Sequence, residues 1–276
     1  MDKDNTLFLS DVDGVLTNRR AEPSGEAIRL LAECGRRHLV HLVTGRGAGW
    51  LTREILHALS GHFGHSESVW LEAWGPHCAE YGGILVHFDG AVWKKGLNGN
   101  FTAVPAAVRE DIRRRAQDIP GVFFDEDKQV MVSLEARHAL AEKEPELVRQ
   151  GLEKARALLE EYGKDGCEVR NTTYATDLVV RSKDGRWMDK EYGADLILDR
   201  AGFIPDYVHI LGDAPSDLGL ADAVARRGIP YLFHFVGEEE SLSTLSFGDF
   251  RRYRLKFTRE KYDRGAVEVL KELLEL

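Results

Sequence analysis

Residues 6–17, Thr6-Leu7-Phe8-Leu9-Ser10-Asp11-Val12-Asp13-Gly14-Val15-Leu16-Thr17, decide how the rest of the chain is read. Leu7-Phe8-Leu9 is a continuous apolar run without alternation, the pattern of a short strand buried on both faces of a parallel sheet. It stops at charge: Asp11 and Asp13 follow with one residue between them, and Gly14 allows a sharp turn where the strand ends. The carboxyl end of a strand is where an open α/β sheet holds its ligands. Two carboxylates this close repel each other unless a cation or a proton compensates, and a hard cation such as Mg2+ prefers oxygen ligands. With a metal bound, one carboxylate can remain an ionised nucleophile while its neighbour carries a proton. Taken alone, the motif is equally compatible with a solvated Asp-Gly turn after a strand.

The bulk properties narrow the classes. The 276 residues suit one large domain or two of moderate size, and 43% hydrophobic with 30% charged residues describes an ordinary globular protein with a real core. A net charge of -9 disfavours nucleic-acid or anionic-membrane binding while leaving room for a local basic pocket. The N-terminus, MDKDN, is unlike a signal peptide, and no apolar run reaches the roughly 20 residues of a membrane helix. Cys34, Cys78 and Cys167 are odd in number, widely spaced and without a C-x-x-C pair, which predicts reduced thiols and a cytoplasmic location. His57, His62 and His65 fall close together but match no zinc spacing, so no metal role is read into them.

Further along, Pro23 and Ser24 open a helix whose apolar face includes Ala27, Leu30, Leu31 and Cys34, and Gly35 ends it. Leu39–Val43 is a second buried strand and finishes in Thr44-Gly45-Arg46, where backbone N–H groups and the Thr hydroxyl can face an oxyanion. Thr44 and Gly45 as plain turn-formers before a helix over 47–59 is the competing reading. A third strand is expected over Glu67–Leu71, and Ile84–Val92, with Asp89-Gly90 as its turn, has the punctuation of a hairpin. The segment from about 94 to 181 reads α-β-β-α-β-β: a helix over Pro105–Gln117, strands near Val122–Phe124 and Gln129–Leu134, a long helix over His138–Tyr162, and strands near Cys167–Arg170 and Asp177–Arg181. That order predicts an open-faced sandwich inserted into the first domain. The expected division is a discontinuous core of residues 1–83 and 186–276 and an inserted α+β domain of residues 84–185. The fold class is therefore α/β, a Rossmann-like parallel sheet with an inserted α+β domain.

The returning chain brings Trp187-Met188-Asp189-Lys190-Glu191-Tyr192-Gly193-Ala194, which starts a helix reaching about Arg200. Lys190 sits in the first turn, where a cation gains nothing from the helix dipole. Tyr207–Leu211 is the next buried strand and ends in Gly212-Asp213-Ala214-Pro215-Ser216-Asp217. Asp213 and Asp217 can both point back over that strand end as oxygen ligands, and Asp217 can equally be a helix N-cap. A strand over Ile229–Phe235 and a helix over Asp263–Leu276 close the chain.

These stretches resemble, in order, the motifs of the haloacid dehalogenase-like phosphatases that carry an α/β cap after the third core strand. They are similar to the Cof-type, trehalose-phosphate, sucrose-phosphate and mannosyl-3-phosphoglycerate phosphatases. Asp11-Val12-Asp13-Gly14-Val15-Leu16-Thr17 matches the first motif, Thr44 the second, Lys190 the third and Gly212-Asp213 with Asp217 the fourth. Glu80-Tyr81-Gly82-Gly83 looks like a variant of a Glu-Asn-Gly-Gly marker before the cap. Glu191 departs from the Gly that relatives carry after the third-motif Lys. The resemblance implies a Mg2+-dependent phosphomonoester hydrolase: Asp11 as nucleophile, Asp13 as general acid and base, Thr44 and Lys190 on the phosphoryl group, and the metal on Asp11, the backbone carbonyl of Asp13, Asp213 and Asp217. Gly45, Arg46, Lys128, Arg170 and Asn171 are the expected substrate contacts, Lys128 because trehalose-phosphate phosphatases resemble it there with an E-x-K. A turn lysine is its alternative. The implied partner is a small phosphorylated metabolite, with no nucleic acid and no membrane, and a homodimer is left open. A phosphomutase of the same superfamily or a non-catalytic metabolite-binding protein are the competing functions. The mutase is disfavoured by T-G-R in the second motif, and the binding protein by the presence of both Asp11 and Asp13.

Overall fold

A computed structural model of the chain describes residues 5–64, 67–141, 143–164, 166–244 and 252–276; His65 of the histidine group lies outside them. The chain forms two compact units, Met1–Gly96 with Asp189–Leu276, and Leu97–Met188. In the first, five parallel strands run in the order β12-β11-β10-β1-β2, where β1 is Thr6–Ser10, β2 Leu39–Leu42, β10 Tyr207–Gly212, β11 Tyr231–Phe235 and β12 Leu255–Phe257. Leu7, Leu9, Val208, Ile210, Phe233 and Phe235 fill one side of the sheet together with Ala194, Ile197, Leu220 and Val224. Phe8 faces the other side and stacks on His209, with ring centroids 5.1 Å apart. Apolar residues on both faces are what a sheet covered on both sides requires.

The register fixes where charge emerges. Ser10 lies opposite both Leu211 of β10 and Leu42 of β2, so the residues that follow all three strands leave the sheet at one edge. Asp11 N donates to Leu211 O at 3.0 Å and Val43 N to Ser10 O at 2.9 Å, which carries the ladder one step past each strand. The edge strand β12, three residues in a charged stretch, has no counterpart in the sequence reading.

The helices are α1, Gly25–Gly35; α2, over 48–60 with a π-helical stretch at Leu51–Leu56; α3, Ser68–Ala73; α4, Ala106–Ala116; α5, Pro145–Glu160; α6, Lys190–Arg200; α7, Leu218–Arg226; and α8, Tyr262–Leu274. None of the described helices is long and apolar enough to cross a membrane. Two expectations fail. The strand read over Glu67–Leu71 is helix α3: Leu71 and Trp74 are buried three residues apart while Val69 is 59% exposed, a helical and not an alternating pattern. The third strand is instead β3, His77–Ala79, all buried and too short to signal itself. The long helix read over His138–Tyr162 is broken into His138–Ala141 and α5, because Pro145 lacks an N–H and can only start a helix.

The unit junctions also differ from the expected 83/84 and 185/186. Hairpin strands β4, Ile84–Phe88, and β5, Trp93–Leu97, extend β3 into a separate three-stranded sheet in the order β3-β4-β5, and residues up to Gly96 stay with the first unit. The inserted unit is a four-stranded antiparallel sheet in the order β6-β7-β9-β8 packed with α4 and α5, where β6 is Val122–Phe124, β7 Val132–Ala136, β8 Cys167–Asn171 and β9 Ala175–Val180.

His77 is fully buried, and its Nδ1 accepts from Leu42 N at 3.2 Å, so the ring is neutral. Burial pushes it down to about 3, below the ordinary 6.5 that it regains on unfolding. The unfolded chain therefore binds the extra proton, and stability falls as pH drops below 6.5 toward 3. His77→Asn keeps an acceptor for Leu42 without the titration. Urea unfolding at pH 7 and 5.5 is expected to show a decline smaller by about 1 kcal/mol in that variant than in the wild type.

Candidate active site

Asp11 and Asp13 leave β1 into a turn that Gly14 makes possible. Its φ is +68°, and a Cβ there would stand 2.1 Å from Asp213 Oδ2, so both conformation and space demand glycine. Gly14 N donates to Thr17 Oγ1 at 3.1 Å, which closes the turn. Asp213 follows β10. Asp217 reaches back to it: Oδ2 of Asp217 accepts from Asp213 N at 2.9 Å and from Ala214 N at 3.0 Å. The N-cap and ligand readings of Asp217 thus draw on different oxygens, since Oδ1 is buried and accepts no hydrogen bond.

Helix α6 delivers Lys190. Asp189 caps it by accepting from Tyr192 N at 2.8 Å, which places Lys190 in the first turn. Its buried Nζ donates to Asp11 Oδ1 and to Val43 O, the latter at 2.9 Å, and stands 3.1 Å from Asp217 Oδ1. Burial works against that charge, but Asp11 and Asp217 outweigh it and hold the ammonium proton well above its usual range. The carboxylates feel the converse. Burial, then the charges of Asp217 and Asp11, push Asp213 up to about 9, and burial followed by Asp217 pushes Asp11 up to about 7. One Lys is too little charge for three acids.

Asp11, Asp213 and Asp217 each offer an oxygen within 4.8 Å of the others. An all-oxygen set with a buried acceptor that lacks a hydrogen bond fits a hard divalent cation. The side chain of Asp13 lies outside this group and is held by Arg46, whose Nε donates to both carboxylate oxygens at 3.0 Å and Nη2 to Oδ1 at 2.9 Å. The guanidinium lies 4.9 Å over the Trp50 ring, which fixes its plane. Thr44 is fully buried; its N donates to Cys78 O at 2.9 Å and its Oγ1 accepts from Arg46 N at 3.1 Å.

Of the expected residues, Asp11, Asp13, Thr44, Gly45, Arg46, Lys190, Asp213 and Asp217 all belong to the first unit and gather at its sheet edge. Lys128, Arg170 and Asn171 belong to the second. Lys128 is only 4% exposed and faces Glu135 at 3.5 Å and Asp125 at 3.6 Å, so it is an interior lysine between two acids and not an open turn residue. Arg170 Nη1 donates to Met188 O at 2.9 Å and its Nε to Glu168 at 3.0 Å, and Asn171 is exposed at the end of β8. The grip of Arg46 on Asp13 had no signal in the sequence, because it joins two loops 33 residues apart.

No family model and no curated sequence matches the chain. Solved structures do match its fold. The C-terminal domain of a trehalose-6-phosphate phosphatase from Candida albicans superposes with a TM-score of 0.66 at 17% identity, covering 100% of this chain and 93% of that one. A haloacid dehalogenase-like hydrolase from Bacteroides thetaiotaomicron gives 0.62 at 13%, covering 97% and 99%. The Aspergillus fumigatus trehalose-6-phosphate phosphatase gives 0.54 at 18%, covering 99% and 94%. The chain has the fold of the haloacid dehalogenase-like hydrolases over its whole length.

A site with crowded charge makes a specific response to metal. Mg2+ is expected to raise the thermal unfolding midpoint of the wild type. Asp213→Asn removes a buried acid that the metal-free fold holds protonated and the unfolded chain ionises, so without metal at neutral pH it should unfold about 2–3 °C higher than the wild type, the shift that roughly 1 kcal/mol gives at this size. Its midpoint should then respond to Mg2+ far less.

Proposed function

We propose that the chain is a Mg2+-dependent phosphomonoester hydrolase acting on a sugar phosphate or similar small phosphorylated metabolite. The observation that carries this reading is the set of three carboxylates and Lys190 at the end of β1 and β10, with Asp13 beside them. The trehalose-6-phosphate phosphatases and the Plasmodium falciparum IMP-nucleotidase among the fold neighbours support the substrate class.

Asp11, Asp213 and Asp217, with the backbone carbonyl of Asp13, would hold the metal, which when bound neutralises phosphoryl oxygens as a Lewis acid. The Asp11 carboxylate attacks phosphorus; the P–O ester bond breaks, and the leaving oxygen takes a proton from Asp13. Water then attacks the aspartyl phosphate while Asp13 takes its proton, and Asp11 departs as carboxylate. Lys190 opposes the protonation of Asp11 and aims its carboxylate, and the Thr44 hydroxyl, whose oxygen already accepts from Arg46 N, has its O–H left to donate to the phosphoryl group. Arg46 fixes Asp13 bidentately, so one carboxylate oxygen has to leave the guanidinium before it carries the proton.

Phosphate release from a panel of phosphorylated metabolites, with Mg2+ or EDTA, tests the reading. Release is expected only with Mg2+, absent in Asp11→Asn and about 10²–10⁴-fold slower in Asp13→Asn. A wild type that releases no phosphate from any ester would overturn it.

A further inference from the structure

Tyr81 stands in this site without a part in the chemistry described so far. Glu80 and Tyr81 are consecutive non-glycine residues in the left-handed region, with φ of 47° and 53°. Such a conformation is unfavourable for a bulky side chain and persists only where the surroundings impose it. Here the backbone is strapped to the second-motif turn: Tyr81 N donates to Thr44 O at 2.9 Å and Glu80 N to Arg46 O at 3.0 Å. The ring lies over Gly45 so closely that a Cβ there would sit 2.6 Å from both Cζ and Oη. Tyr81 is half-buried, and its phenol lies near Lys190.

The donors of the cradle leave a place for it. Lys190 donates to Asp11 and to Val43 O and forms an ion pair with Asp217 Oδ1 at 3.1 Å, so its ammonium is engaged inside the site. Thr44 has a single O–H. A phosphoryl group with three equatorial oxygens has room for a further hydroxyl donor beside these side chains, the turn amides and the metal. We infer that Tyr81 is a further substrate-binding residue, whose hydroxyl donates to a phosphoryl oxygen held between the Thr44-Gly45-Arg46 turn and Lys190. The inference rests on the phosphatase reading for its substrate, and on the strained turn and the closeness of ring to Gly45 for its geometry.

The test compares wild type, Tyr81→Phe and Tyr81→Asn by kcat and KM on p-nitrophenyl phosphate with Mg2+, by calorimetric binding of orthophosphate with Mg2+, and by thermal unfolding. Tyr81→Phe keeps the ring and is expected to lose about tenfold in kcat/KM and in phosphate affinity, with its unfolding midpoint unchanged. Tyr81→Asn tolerates the left-handed backbone better and should show the same loss without unfolding earlier. Wild-type kcat/KM and phosphate affinity in Tyr81→Phe would overturn the inference, as would a loss that comes only with a lowered midpoint. Failure of the phosphatase reading shows separately, as an inactive wild type, and the phosphate-binding arm still decides the role of Tyr81.

Discussion

Asp11, Asp213 and Asp217 are brought together by the strand register, and the Lys190 ammonium is the interaction that makes their meeting tolerable. Like charges in a buried setting either lose a proton's worth of charge or recruit a cation. Lys190 supplies one positive charge, held by two of the acids and the Val43 carbonyl. A lysine at the start of a helix opposes the macrodipole, so the position of Lys190 is explained by the carboxylates it serves and not by helix energetics. The elevated proton affinity of Asp11 and Asp213 that remains is the excess negative charge a divalent cation would satisfy.

Much of the first unit reduces to holding this edge in register. Parallel pairing aligns the ends of β1, β2 and β10, and the backbone bonds past those ends hold the loops against one another. Glycine appears where two loops approach more closely than a side chain allows, at Gly14 against Asp213 and at Gly45 against Tyr81. The strain at Glu80 and Tyr81 belongs to the same economy: a turn strapped by backbone hydrogen bonds to its neighbour accepts an unfavourable dihedral to place a side chain.

The inserted unit follows different rules. Its sheet packs against α4 and α5 and carries the polar residues Ser133, Glu135 and Asp177, which the β6–β7 connection joins with Asp125 and Lys128. Burial raises the proton affinity of Asp177, and Lys128 opposes that rise. An ionic group buried this deeply in a small unit is held by mutual pairing, which makes the removal of one partner costly.

The strand-turn-charge pattern at Leu7–Gly14, the T-G-R and G-D-x-x-x-D stretches, and the α-β-β-α-β-β order of the insert were legible because each rests on local physics: buried strands are uniformly apolar, turns need glycine, and helices and strands have different periods. β3 was not legible, since three buried residues carry no period, and neither was β12. α3 was misread, because a short apolar run fits either element until the packing of Trp74 against Gly35 is known. The sequence by itself thus determined the α/β class and its insertion, and its motifs picked out candidate residues that the structure gathers at the strand ends. Only the tertiary structure decided that Arg46 clamps Asp13, that Lys128 is interior and that Tyr81 lies over Gly45, because each depends on which loops meet across the strand ends, a property of register and packing that local sequence does not encode.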